Sequence, residues 1–248
     1  MPDTKPLVFI HGLFGSLSDE TLVKEYGEKR VLAPDLLGYG RYKQHNVTSL
    51  TLVDQAEHVL DCMNNQDIQK ANLIGHSVGG AVAALLAIRH PDRVRALVSV
   101  EGNMTPPDAF WSANLAKMRV DEIQQLVDGY YADVGAWISE AGVQITPDTV
   151  RIATDWLSHQ PAPTLKAQAH AVVAATSDSS GFLKNLRDCL AEGLVLHMIS
   201  GSNSRQGWSV PLDIEAAAQS VTLMQDFGHL MMLQSPSKFA DVVMGAVK

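Results

Sequence analysis

The 248-residue chain has only two cysteines, Cys62 and Cys189, so no disulfide framework can hold it together. Both read as reduced thiols, and a cytoplasmic location is expected. No apolar run approaches the length of a membrane span, and the start Met1-Pro2-Asp3-Thr4-Lys5-Pro6 lacks the charged, then apolar progression of a secretory leader. A soluble protein with no membrane partner is expected. Basic residues are scarce: 19 Lys and Arg stand against 27 Asp and Glu, a net charge of −8. Phosphate binding needs clustered Lys and Arg, so nucleic acid is not expected as a partner. The spacings Gly-x-x-x-x-Gly-Lys-Ser/Thr, Cys-x-x-Cys and His-Glu-x-x-His are all missing, which argues against metal, nucleotide or other cofactor chemistry. His58, His90, His159 and His170 read as ordinary helix or helix-end residues. Repeats and low-complexity linkers are also missing, so one large core is expected, burying roughly three quarters of the unfolded surface.

What the chain does have is Gly75-His76-Ser77-Val78-Gly79-Gly80 between the apolar runs Ala71–Ile74 and Ala81–Ile88. That order predicts a strand, a tight turn and a helix, where a nucleophile elbow belongs. A serine held there at positive φ needs neighbours without side chains, because strand and helix pass too close for a Cβ. Gly75 and Gly79 fill those two places.

A second apolar strand, Pro6-Leu7-Val8-Phe9-Ile10, leads into His11-Gly12-Leu13-Phe14-Gly15. Acyl transfer through a serine needs two backbone N–H groups aimed at the developing oxyanion, one following the nucleophile and one from a neighbouring strand's loop. These are assigned to Val78 and Leu13, with Phe14 as the substitute for Leu13. His11 reads as a brace for its loop. Near the other end, Gly228-His229 lies between a strand and a Pro236-led helix of Phe239–Val247 character. A histidine on such a loop can act as general base for Ser77, and the chain order serine, acid, histidine suits it.

Phe9-Ile10-His11-Gly12, Ala33-Pro34-Asp35-Leu36-Leu37-Gly38-Tyr39-Gly40-Arg41, Ile74–Gly80, His90-Pro91-Asp92-Arg93-Val94 and Gly228-His229 together resemble the α/β-hydrolase family, in its order. The resemblance implies an α/β-hydrolase fold. Asp35 reads as structural, capping the loop after its strand. Only six residues precede the first strand, so the antiparallel pair that usually opens the family's fold is not expected here, and the resemblance then implies a six-stranded parallel sheet. In most members the triad acid follows the penultimate strand in a Gly-x-x-Asp segment. Here that segment, after Leu194–Ile199, reads Gly201-Ser202-Asn203-Ser204. Glu101, ending the strand Arg95–Val100 next after the elbow helix, is the best remaining acid, and a subset of the family that includes haloalkane dehalogenases carries its acid at that strand end. Asp213 and Asp226 are the alternatives.

Residues 103–193 show helical spacing, as in Ile123, Leu126, Val127, Tyr130 and in Val150, Ala153, Trp156, Leu157. They read as a helical cap inserted into a core of residues 1–102 and 194–248, bounded by Thr105-Pro106-Pro107 and the Ser177–Gly181 turn cluster. Trp111, Trp137, Trp156, Met104 and Met118 read as core before pocket. The expected function is a serine hydrolase acting on a carboxylic ester, lactone or thioester with a small, apolar acyl group. Ser77, a serine where aspartate would serve alkyl-enzyme chemistry, disfavours dehalogenation and epoxide hydrolysis. A lyase or carbon–carbon bond hydrolase on the same residues, and a non-catalytic ligand receptor, are the alternatives.

Overall fold

The structure, a computed structural model, describes residues 5–177 and 179–248. Residues 1–4, at the start read above for a leader, and Asp178, inside the turn cluster read as the cap boundary, lie outside the described residues.

Six strands form one parallel sheet: β1 (Leu7–Ile10), β2 (Val31–Leu32), β3 (Ala71–His76), β4 (Val94–Val100), β5 (Val195–Gly201) and β6 (Ser220–Met224). Their spatial order is β2-β1-β3-β4-β5-β6. Register is set by pairs such as Phe9 with Ile74, Ile74 with Val98, and Val98 with His197. Successive side chains alternate faces. Val8, Ile10, Leu73, Leu97 and Met198 therefore enter one apolar cluster, while Leu7, Phe9, Ile74, Val98 and Ile199 enter the other. A sheet buried on both faces needs helices on both.

On the first face lie α2 (Leu52–Asn65) and α3 (Val78–Arg89). Thr51 and Asp54 close a reciprocal capping box that starts α2. α3 is apolar nearly all round, which suits a helix wedged between the sheet and α2. On the second face, α1 (Glu20–Val23) meets α12 (Pro236–Ala246), whose Phe239, Ala240 and Val243 are buried. Phe239 and Val243, taken fully from water, contribute about 1.5–3 kcal/mol each.

Between β4 and β5 run α4 (Phe110–Lys117), α5 (Val120–Ala132), α6 (Val134–Glu140), α7 (Pro147–Ser158), α8 (Ala162–Ser177) and α9 (Ser179–Ala191). α8 packs on α4, α5 and α2, whereas α9 packs on α3 and so extends the layer that covers the sheet. The junction of α7 and α8 is tied to the core loops by polar contacts. His159 Nε2 meets Asp35 Oδ1 at 2.9 Å, the Gly40 N–H donates to the His159 carbonyl at 2.8 Å, and Thr164 Oγ1 donates to the Gly38 carbonyl at 3.1 Å. His159, expected to be an ordinary helix-end residue, thus joins the insertion to the loop after β2. Asp35 does hold that loop, accepting from the Arg41 N–H at 3.1 Å. Among the described residues no helix is long and apolar enough to cross a membrane.

The strand order reverses between β1 and β3. In an open α/β sheet the crevice at the carboxyl ends of such strands is where ligands bind.

Candidate active site

β3 ends at His76, α3 begins at Val78, and Ser77 between them holds φ 55° and ψ −123°. A non-glycine residue there carries strain of about 1–3 kcal/mol, which persists only when its surroundings over-determine it. They do. A Cβ on Gly75 would lie 2.4 Å from the Gly79 carbonyl oxygen, and one on Gly79 only 2.1 Å from that of Ile10. The Ser77 N–H donates to the Val100 carbonyl at 3.0 Å, and its own carbonyl accepts from Gly80 and Asn103. The hydroxyl takes no part in capping α3. Instead Ser77 lines a cavity of about 680 Å³ at the carboxyl ends of the strands.

His229 reaches the same cavity from the loop after β6. That loop is held by Asn203 N–H to the Phe227 carbonyl at 2.9 Å, and by Gly228 N–H to Gln234 Oε1 at 3.0 Å. His76 Nε2 donates to the His229 carbonyl at 3.0 Å, with the two rings 4.5 Å apart. Burial first, and the nearby His229 second, lower the His76 pKa to about 3, so His76 is neutral at ordinary pH.

Glu101 follows β4 at φ 43° and is 4% exposed. Its Oε2 lies 2.5 Å from His229 Nδ1. Its Oε1 accepts from the Gly201 N–H at 2.9 Å and from Ser204 Oγ at 2.5 Å. Burial by itself raises the pKa of a carboxyl, but the hydrogen bond and charge of His229, with those of Ser204 and Gly201, outweigh it and hold Glu101 below its ordinary value. An ionised carboxylate only accepts, so Nδ1 carries a proton and Nε2 is the ring nitrogen left to face the cavity. Among the described residues no hydrogen bond joins Ser77 to His229; such bonds are commonly long in free enzymes and tighten with substrate.

The two alternative acids lie elsewhere. Asp213 pairs with Arg187 on the surface, at 2.5 Å. Asp226 has its N–H on Ser202 Oγ at 2.9 Å and its carbonyl on the Gln234 amide at 2.8 Å, and it does not line the cavity.

Leu13 lines the cavity, and its carbonyl is anchored by the Tyr39 hydroxyl at 3.0 Å. Among the described residues, the N–H groups of Leu13 and Val78 have no protein acceptor. Gly12 keeps this loop close: a Cβ there would meet Ser77 Cβ at 3.1 Å. His11 braces the loop. The Leu36 N–H donates to its Nε2 at 3.3 Å, so Nδ1 carries the proton and donates to the Gly12 carbonyl at 2.9 Å. Burial lowers the His11 pKa to about 4, so it too is neutral.

The cavity wall is aromatic. Phe14, which lines it, sits edge-on to Trp111 at 5.4 Å and to Trp137 at 6.0 Å, and Trp137 stacks on Tyr130 at 5.4 Å. The tryptophans read as core, Trp111, Trp137 and Trp156, all line the cavity, and of these only Trp156 is also buried, at 5% exposed; Met104 stays in the core and Met118 is half-buried against it. Sequence reasoning missed Asp108, a buried carboxyl in the wall. Its oxygens accept from the Met104 and Thr105 N–H groups at 3.0–3.1 Å, and burial raises its pKa to about 6. The Pro106-Pro107-Asp108 turn beside Trp111 was the available signal. No Lys or Arg lines the cavity among the described residues. Nor, among them, does any group of three or more His, Cys, Asp and Glu side chains suit a metal ion.

A family model described as alpha/beta hydrolase fold matches residues 5–143. The chain is 37% identical over 130 residues to the 2-hydroxymuconate semialdehyde hydrolase of Pseudomonas sp. (strain CF600), covering 46% of this chain and 45% of that protein. It is 39% identical over 105 residues to the sn-1-specific diacylglycerol lipase ABHD11 of Danio rerio, covering 40% and 32%. These matches span less than half the length of either relative. The solved enol-lactonase from Burkholderia xenovorans LB400 superposes with a TM-score of 0.71 at 19% identity, over 99% of this chain and 92% of that one. At that identity the likeness is one of fold.

Proposed function

Because the chain belongs to the alpha/beta hydrolase fold family, we propose that it is a serine hydrolase that cleaves a carboxylic ester, lactone or thioester through Ser77, His229 and Glu101. The observation that carries this reading is the 2.5 Å contact of Glu101 Oε2 with His229 Nδ1, beside a strained Ser77 in the same cavity. Ser77 Oγ attacks the carbonyl carbon while its proton passes to His229 Nε2. Glu101 holds the ring in the right tautomer and stabilises the imidazolium. The N–H groups of Leu13 and Val78 receive the oxyanion, a contribution of about 3–4 kcal/mol per donor in comparable sites. His229 then protonates the leaving oxygen or sulfur. Water repeats the sequence on the acyl-enzyme, with His229 again as base.

The aromatic wall and the absence of cavity Lys and Arg among the described residues favour an uncharged, apolar acyl group. Within the insertion 103–193, set into a core of residues 1–102 and 194–248, α4, α6 and α7 act as the cap that shapes this pocket through Trp111, Trp137 and Trp156, while α9 packs on α3. Two unpaired cysteines suit a reducing compartment, and we assign the enzyme to the cytoplasm.

The test is intact-mass labelling with a fluorophosphonate, after circular dichroism has established folding. One adduct on the native chain, lost in Ser77→Ala and slowed in Glu101→Gln, supports the reading; a folded native chain that takes no adduct refutes it. The similarity to the 2-hydroxymuconate semialdehyde hydrolase favours a second reading, carbon–carbon bond hydrolysis by the same residues. An enzyme that labels at Ser77 yet turns over no ester, lactone or thioester would favour it.

A further inference from the structure

Glu101 must present one carboxylate oxygen to His229, yet a carboxylate turns easily about its last bond, where the torsional profile is broad and two-fold. Something has to hold its plane. Oε1 is gripped from two directions by the segment after β5: the Gly201 N–H at 2.9 Å and Ser204 Oγ at 2.5 Å. The serine hydroxyl has one proton to give. Its other neighbour, the Gly201 carbonyl, is 3.4 Å away, so the proton goes to Glu101. At 2.5 Å this is a charge-assisted O–H···O⁻ bond, about twice as strong as a neutral one. With Oε1 fixed, Oε2 is left for His229 Nδ1. Ser204, on the segment after β5, thus contacts the carboxylate that reaches His229 from the end of the neighbouring strand β4.

We propose that Ser204 is a positioning residue, whose hydroxyl orients the Glu101 carboxylate toward His229. This rests on the Ser77-His229-Glu101 reading. Ser204 borders the cavity, but its hydroxyl proton is spent on Glu101, so removing the hydroxyl chiefly frees the carboxylate to turn away from Nδ1, and the loss falls on kcat with KM little changed.

The experiment measures kcat and KM with p-nitrophenyl acetate for the native protein, Ser204→Ala, Ser204→Thr and Ser204→Val, alongside the rate of fluorophosphonate labelling. Removing the partner that orients a metal-ligating side chain commonly lowers activity 10- to 100-fold, and the same order is expected for a carboxylate that orients a histidine. A drop of about that size in kcat and labelling rate is expected for Ser204→Ala at constant KM, with most of it recovered in Ser204→Thr. The low-field proton resonance of the His229–Glu101 bond should weaken in Ser204→Ala and return in Ser204→Thr. If Ser204→Ala fails to fold, the isosteric pair Thr and Val decides, because only Thr keeps the hydroxyl. Native kcat in Ser204→Ala or Ser204→Val, with Ser77 still labelled, overturns the positioning role and leaves the hydrolase reading standing. A folded native chain that neither labels nor turns over ester removes both.

Discussion

Asp108 is ionised at neutral pH in a place that does not favour charge. The residue is 9% exposed, it lines a cavity without Lys or Arg among the described residues, and its pKa is raised from 3.8 to about 6, chiefly by burial. In the unfolded chain the group loses its proton near 3.8; in the folded chain it keeps it until about 6. Between those values the native state binds the extra proton, so stability falls as pH rises through the window and stays low above it. At 1.36 kcal/mol per pH unit the full penalty is about 3 kcal/mol at pH 8, and well under 1 kcal/mol at pH 4. Asp108→Asn keeps an oxygen to accept from the Met104 and Thr105 N–H groups and removes the charge. The gap in unfolding free energy between variant and native protein should therefore widen in the variant's favour by about 2 kcal/mol or more from pH 4 to pH 8. Urea denaturation at both pH values reads this directly, as a midpoint shift with unchanged slope. A gap that stays constant across the two pH values would show that Asp108 is not held in its protonated form, and the reasoning would fail.

The same carboxylate, with Glu101, should discriminate by charge. The kcat/KM ratio of a neutral aryl ester over an isosteric ester bearing a free carboxylate is expected to exceed tenfold at pH 8 and to shrink in Asp108→Asn; an unchanged ratio would exclude Asp108 from substrate selection. Asp213→Asn breaks a surface ion pair and Asp226 does not line the cavity, so both variants should keep kcat within about twofold, whereas Glu101→Gln should lose orders of magnitude. Equal losses in all three would refute the choice of acid. Gly79→Ala drives a Cβ to within 2.1 Å of a backbone oxygen that has no room to yield, and should cost about 3 kcal/mol or more in thermal or urea unfolding. Gly129→Ala, inside α5 with open space around it, should instead stabilise by about 0.5–1 kcal/mol.

What the chain announces by itself is local. The glycines around Ser77 are dictated by the close passage of a strand and a helix only a few residues apart, so the turn can be recognised without knowing anything distant. The alternation of Leu7, Val8, Phe9 and Ile10 between two buried faces and the strand ends at Glu101 and before His229 are legible for the same reason: each depends on backbone periodicity or on neighbours in sequence, whereas the six-stranded parallel sheet is expected only from the resemblance to the α/β-hydrolase family. The chemistry among these pieces is not. His229 and Glu101 stand 128 positions apart, and Ser204 and Glu101 stand 103 apart. No periodicity reaches across such distances. Only the pairing of β4 with β5 and of β5 with β6 brings the Glu101, Ser204 and His229 loops to one end of the sheet, and only that order leaves Asp213 outside with Arg187. The burial that raises Asp108 and the stacking of Phe14, Trp111 and Trp137 into one wall are likewise properties of helices folded back over the sheet. Sequence determined which turns and strands exist and which residues stand at their ends; tertiary structure decided which of those ends face one another, because electrostatics and packing act through space.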